Sequence, residues 1–260
     1  MHLEFTQYAL GAVSGGLVGL TLGLFGGGGS ILAVPLMVYL VGVTDAHIAI
    51  GTSAVAVTAN AATNLITHAR RGNVRWRCAF IYSAAGVAGA FLGSLAGKAL
   101  DGGKLLFLFA LLMLVVGGLM IFTRNRPEHA NAVCTIENTP KTLAYGAGTG
   151  ALAGFFGIGG GFLIVPGLLA ATGMPLLSAI GSSLVAVTAF GLTTALSYAA
   201  SGLVDWPLAA VFVAGGALGG IAGAFVAGQI ARRRRALNTS FAALIVGVAL
   251  YMAIRSGGGI

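Results

Sequence analysis

Apolar residues run along this chain in long blocks separated by short polar or basic stretches. Four blocks fall in the first half (9–43, 47–69, 76–100 and 104–122) and four in the second (142–173, 177–201, 206–230 and 236–254). A helix rises about 1.5 Å per residue and a bilayer's hydrocarbon core is about 30 Å thick, so roughly 20 residues cross it. Blocks of this length predict spanning helices and not the alternating ten-residue strands of a membrane barrel. The leading block of each half is the exception. As one helix it would be about 50 Å long, and it is interrupted by glycines.

The interruptions are the most informative stretches. Residues 24–35 read LFGGGGSILAVP, and residues 155–166 read FFGIGGGFLIVP. Each glycine costs a helix about 1 kcal/mol relative to alanine, so four in a row predict a break. Split there, each leading block becomes two pieces of about 15 residues, which predicts a re-entrant hairpin or a broken helix.

The breaks belong to an internal duplication. A shift of about 130 residues aligns GTSAVAVT at 51–58 with GSSLVAVT at 181–188, GNVRW at 72–76 with GLVDW at 202–206, and Gly86, Gly89 and Gly93 with Gly216, Gly219 and Gly223. The predicted architecture is an all-α integral membrane protein of two homologous halves, residues 8–123 and 142–256, each of about four hydrophobic segments. A polar, mobile linker, 124–141, joins them.

Composition and charge agree. Of 260 residues, 57% are hydrophobic and 8% charged, against about 25% charged in a soluble domain. The formal charge of +8 sits between the apolar blocks, where the positive-inside rule explains it and nucleic acid is not needed. Arg70, Arg71, Arg75 and Arg77 occupy the loop between blocks two and three of half one, and Arg232, Arg233, Arg234 and Arg235 the loop between blocks three and four of half two. These loops share a face only if each half crosses an odd number of times, which makes the halves inverted repeats with a cytoplasmic linker and external termini. The first segment lacks the basic start and cleavage site of a signal peptide and is expected to be retained. Cys78 and Cys134 read as bystanders, and no metal cluster is expected.

Chemistry is expected at the breaks. Non-helical backbone at membrane depth is tolerated only against protein or a watery cavity. A helix resuming after glycines leaves its first N–H groups unpaired, which suits an anion. The candidate substrate-binding residues are Gly26, Gly27, Gly28, Gly29 and Ser30 in the first break, and Gly157, Gly159, Gly160 and Gly161 in the second. Gly51, Thr52 and Ser53 open block two, with counterparts Gly181, Ser182 and Ser183, so two pairs of helix starts are expected to converge near the midplane. Asn60, Asn64 and Thr188 follow at helical spacings as pathway-lining groups. Gly11, Gly15, Gly19 and Gly23 read instead as close helix packing, as do the glycines at 86–97 and 216–223. Asp45, His47 and His68 lie near block ends and read as interfacial groups in preference to proton relays. Trp76 and Trp206 read as interfacial anchors on opposite faces.

The duplicated glycine opening with its proline, the Gly-Thr-Ser and Gly-Ser-Ser starts and the Gly-x-Val-x-Trp loop together resemble the TauE/SafE family of sulfite and organosulfonate exporters, over nearly the whole chain. Arg75 departs from the Asp or Asn common before that Trp, and Asp205 fits it. The resemblance implies a multi-pass protein of the bacterial inner membrane that exports a small sulfur-containing anion, coupled to a proton or sodium gradient, with the bilayer and a possible second copy of the chain as partners. The expected function is therefore a secondary transporter and not an enzyme, without a cofactor, one half rocking against the other. A passive anion channel stands as the alternative. A membrane-embedded enzyme or a structural subunit stands further off.

Overall fold

In the computed structural model, residues 4–122, 138–159, 161–230, 245–252 and 254 are described, and every regular element among them is helical. Five helices are long and apolar enough to cross a membrane: α1 (Phe5–Phe25), α3 (Ala46–Arg70), α4 (Trp76–Lys98), α8 (Leu176–Ala200) and α9, whose qualifying stretch is Trp206–Gly223. Around them lie α2 (Gly29–Leu40), α5 (Gly102–Phe122), α6 (Thr139–Phe156), α7 (Gly161–Thr172) and α10 (residues 245–252).

Both leading blocks break at their glycines. Gly26 has φ +65° and Gly157 has φ +66°, the left-handed region that L side chains avoid. The chain then returns along the helix it has left. Gly29 lies against Thr21 and Leu22, and Gln7 Nε2 donates to the Val41 carbonyl at 3.2 Å, so α1 and α2 form a hairpin. Gly167 of α7 lies against Thr149 of α6 in the same way. The segment that runs through the break into α2 is irregular: residues Gly26–Leu32 form a tight 3-10 helix, and Leu36–Leu40 a wide π turn. Pro35, which lacks an N–H, sits between the two and removes the bond that would keep the ladder regular.

The packing interleaves the two sequence repeats. α1 runs along α9 and α4 along α6. Both pairs are parallel, Gly15 meeting Phe212 and Gly19 meeting Gly216, while Gly146 meets Tyr82 and Gly150 meets Gly86. A Cβ on Gly15, Gly19, Gly146 or Gly150 would fall on the partner's backbone, so glycine is what allows the close approach. Between the pairs, α3 and α8 cross antiparallel, Gly51 beside Tyr198 and Gly191 beside Thr58. With α1 fastened to α9 and α4 to α6, no plane separates residues before the linker from those after it. Both pairs therefore join the two halves along their length.

Trp76 and Trp206 are exposed at opposite ends of the bundle, as expected, since each starts a helix beside the start of one member of the antiparallel α3–α8 pair. His68, at the Trp76 end, is 3% exposed, since its face of α3 lies against the Gly23 backbone of α1. One expectation fails. Cys78 is not a bystander thiol but is disulfide-bonded; Cys134 and most of the predicted linker lie outside the described residues.

Candidate functional site

The two breaks meet in the middle of the bundle. The Gly26–Leu32 segment packs against α7, and Gly159, at φ +63°, sits between Val57 and Val187, which lie halfway along α3 and α8. Each break also rests on the other repeat's second helix, Gly26 on Ile180 and Gly157 on Ile50. α7 starts at Gly161 beside this point, so its first backbone N–H groups, which lack carbonyl partners within the helix, are presented inside the protein. Of the remaining predicted break residues, Gly29 and Ser30 are buried, Gly27 and Gly28 lie within the 3-10 segment, and Gly160 lies outside the described residues.

The second-block starts do not join them at the centre. Gly51, Thr52 and Ser53 lie toward the Trp206 end of the bundle, and Gly181, Ser182 and Ser183 toward the Trp76 end. Because α3 and α8 are antiparallel, Thr52 and Ser182 are roughly 22 Å apart along the helix axes. Their hydroxyls are occupied in a symmetric way that sequence reasoning missed. Thr52 Oγ1 accepts from the Asp205 N–H at 3.0 Å, and Ser182 Oγ accepts from the Arg75 N–H at 2.9 Å. Each hydroxyl thus caps the loop before a helix of the other repeat, and the equal offset of Thr52 to Ser182 and Arg75 to Asp205 was its only signal. Ser53 and Ser183 donate within their own helices to the carbonyls of Ile50 and Ile180, and Thr188 donates to the Leu184 carbonyl.

Asn60 and Asn64 are buried on the face of α3 that looks at α9, Asn60 against Gly216 and Asn64 against Gly220. Asn64 Nδ2 donates to the Asn60 carbonyl at 2.9 Å. The Asn60 amide has neither its donor nor its acceptor satisfied, an arrangement that costs about 1–3 kcal/mol. At the other end, Lys98 Nζ donates to the Ser197 carbonyl and the Ser201 hydroxyl, both at 3.0 Å, neutralising the end of α8. Among the described residues no group of three or more His, Cys, Asp or Glu side chains is placed to hold a metal ion.

Paired hairpin breaks, an antiparallel central pair and glycine-sealed flanks define a multi-pass helical membrane protein of transporter type. The chain belongs to the TauE/SafE family of membrane transporters: residues 11–252 match the family described as Sulfite exporter TauE/SafE. It is 54% identical, over 94% of each chain, to a protein of Xylella fastidiosa named "Probable membrane transporter protein". It is 28% identical to the "Probable membrane transporter protein YunE" of Bacillus subtilis, over 81% of this chain and 85% of that one. A protein of the same general name from Methanocaldococcus jannaschii is 28% identical over 72% of this chain and 70% of its own. No solved structure matches the chain.

Proposed function

We propose that the protein is a secondary transporter that exports a small sulfur-containing anion, sulfite or an organosulfonate, across the bacterial inner membrane. The anion is bound where the two glycine breaks meet. The observation that carries this reading is the placement of Gly159 between Val57 and Val187, beside the start of α7 and against the first break. Glycine there puts no side chain of its own between the backbone and the two valines, and the unpaired N–H groups with the positive end of the helix dipole favour an oxyanion in a site without a lysine or arginine. Ser30, Ser53 and Ser183 offer hydroxyls near the breaks, and Asn60 and Asn64 a polar wall on α3. Thr52 and Ser182 serve this site indirectly, by fixing the loops.

In this reading the repeats are inverted, residues 8–123 against 142–256, and the Trp76 end is cytoplasmic. The arginine loops support that orientation. The disulfide at Cys78 lies at the same end and favours an oxidising compartment. The eight arginines set orientation collectively and outweigh it. The moving unit is the core of α2, α3, α7 and α8 within the frame of the α1–α9 and α4–α6 pairs.

The test is counterflow of labelled sulfite and methanesulfonate in proteoliposomes. Wild-type protein should exchange at least one of them. Gly159→Val should reduce exchange at least tenfold, whereas Gly148→Val, at a position with open space around it, should not. Equal exchange by both variants would place the anion elsewhere.

A further inference from the structure

We infer that His68 is the group that takes up the proton coupled to anion movement; this deepens the transport reading and rests on it. Among the described residues, His68 is the one buried side chain of the Asp, Glu, His, Lys and Arg types. An ionisable group kept inside a membrane domain is expensive, and such groups mark ion and proton pathways.

Its surroundings fit that role. Asn60, Asn64 and His68 follow at four-residue steps on one face of α3. They form a polar column about 12 Å long, from the middle of the bundle to its Trp76 end. Asn60 faces Gly216, Asn64 faces Gly220, and His68 lies beside the Gly23 backbone. Neither ring nitrogen of His68 and neither polar atom of the Asn60 amide is engaged in a well-formed hydrogen bond. The column exists in one repeat only, since the positions equivalent to Asn60 and His68 hold Phe190 and Tyr198.

Among the described residues no fixed counter-charge faces the imidazole. α1 and α9 carry no Asp, Glu, Lys, Arg or second His. Tyr8 of α1, Tyr39 of α2, Lys104 of α5 and Tyr198 of α8 all stand toward the Trp206 end. The charge beside the ring is Arg71, of the same sign as an imidazolium. Protonation by a hydronium ion forms one N–H bond, breaks one O–H bond and releases a water, and it leaves a buried cation that only a negative charge makes tolerable. An anion at the breaks supplies that charge, so anion and proton load together and leave together, and net export runs down the anion's own outward gradient against the inward proton gradient.

Methanesulfonate is a suitable probe because it stays ionised between pH 5 and 8 and has no membrane-permeant neutral form. An inward proton gradient should make wild-type proteoliposomes accumulate it about tenfold above the level without a gradient. His68→Gln should abolish that accumulation while leaving counterflow at equal pH within twofold of wild type. His47→Gln should preserve both. Gradient-driven accumulation by His68→Gln would overturn the inference, and so would loss of its counterflow together with accumulation. Indifference of wild-type accumulation to the gradient, with counterflow intact, would overturn it whether or not the variant folds. Absence of counterflow from the wild type would instead bring down the transport reading beneath it.

Discussion

Asn60 and Phe190 hold equivalent positions in the two repeats, and each presses its side chain onto an equivalent glycine, Asn60 onto Gly216 of α9 and Phe190 onto Gly86 of α4. One contact is apolar and closed; the other buries a complete amide without partners. Asn60→Leu removes that unsatisfied group and keeps much of the volume, so it should leave stability unchanged or raise it by about 1–3 kcal/mol. The same change should cut anion exchange at least tenfold. Thermal unfolding in detergent together with counterflow reads both, and a variant that is less stable and fully active would contradict the assignment.

The hydroxyl caps give a second prediction. Thr52→Val and Ser182→Ala each leave a loop N–H without its acceptor, at a cost of about 1–3 kcal/mol if water cannot replace it. Thr52→Ser should restore most of the loss. The double variant should lose the sum of the two, because the sites are far apart. Unfolding midpoints of the four proteins provide the check.

Close helix approach gives a third. Gly19→Leu must push α1 off the Gly216 backbone, so the overpacking loss should reach about 3 kcal/mol or more, with reduced yield of monodisperse protein. Gly72 has φ +70° and open space around it, so Gly72→Ala should cost only backbone strain, about 1 kcal/mol. Size-exclusion profiles and unfolding midpoints separate the two.

Orientation is the fourth. Cysteines introduced at Arg71 and Arg233 should react with a membrane-impermeant maleimide only after the cytoplasmic face is opened, and one at Ser201 should react in intact spheroplasts. Labelling of Arg71→Cys and Arg233→Cys from different sides would end the inverted scheme.

Much of this was legible in the sequence, because a bilayer restricts backbone to few solutions. Runs of apolar residues gave the spanning helices, and consecutive glycines gave the breaks, since no helix accommodates Gly26 and Gly157 at positive φ. The packing role of Gly15 and Gly19 was legible from their spacing. Their partners on α9 were not, because a glycine stripe states that something comes close without stating what. The burial of His68 was hidden for a related reason. One residue from the end of its block, it reads as interfacial, and nothing local states that α1 covers that face. The caps by Thr52 and Ser182 depend on loops 153 and 107 residues away, respectively, a distance that no local pattern encodes.

The parallel pairing of α1 with α9 bears on how the chain is made. α1 leaves the ribosome about 180 residues before α9, roughly 10–40 s at ordinary elongation rates. Through that interval its glycine face can meet only lipid or the insertion machinery. A fragment ending at the linker should therefore insert without acquiring a compact form, and a separately expressed second fragment should rescue it.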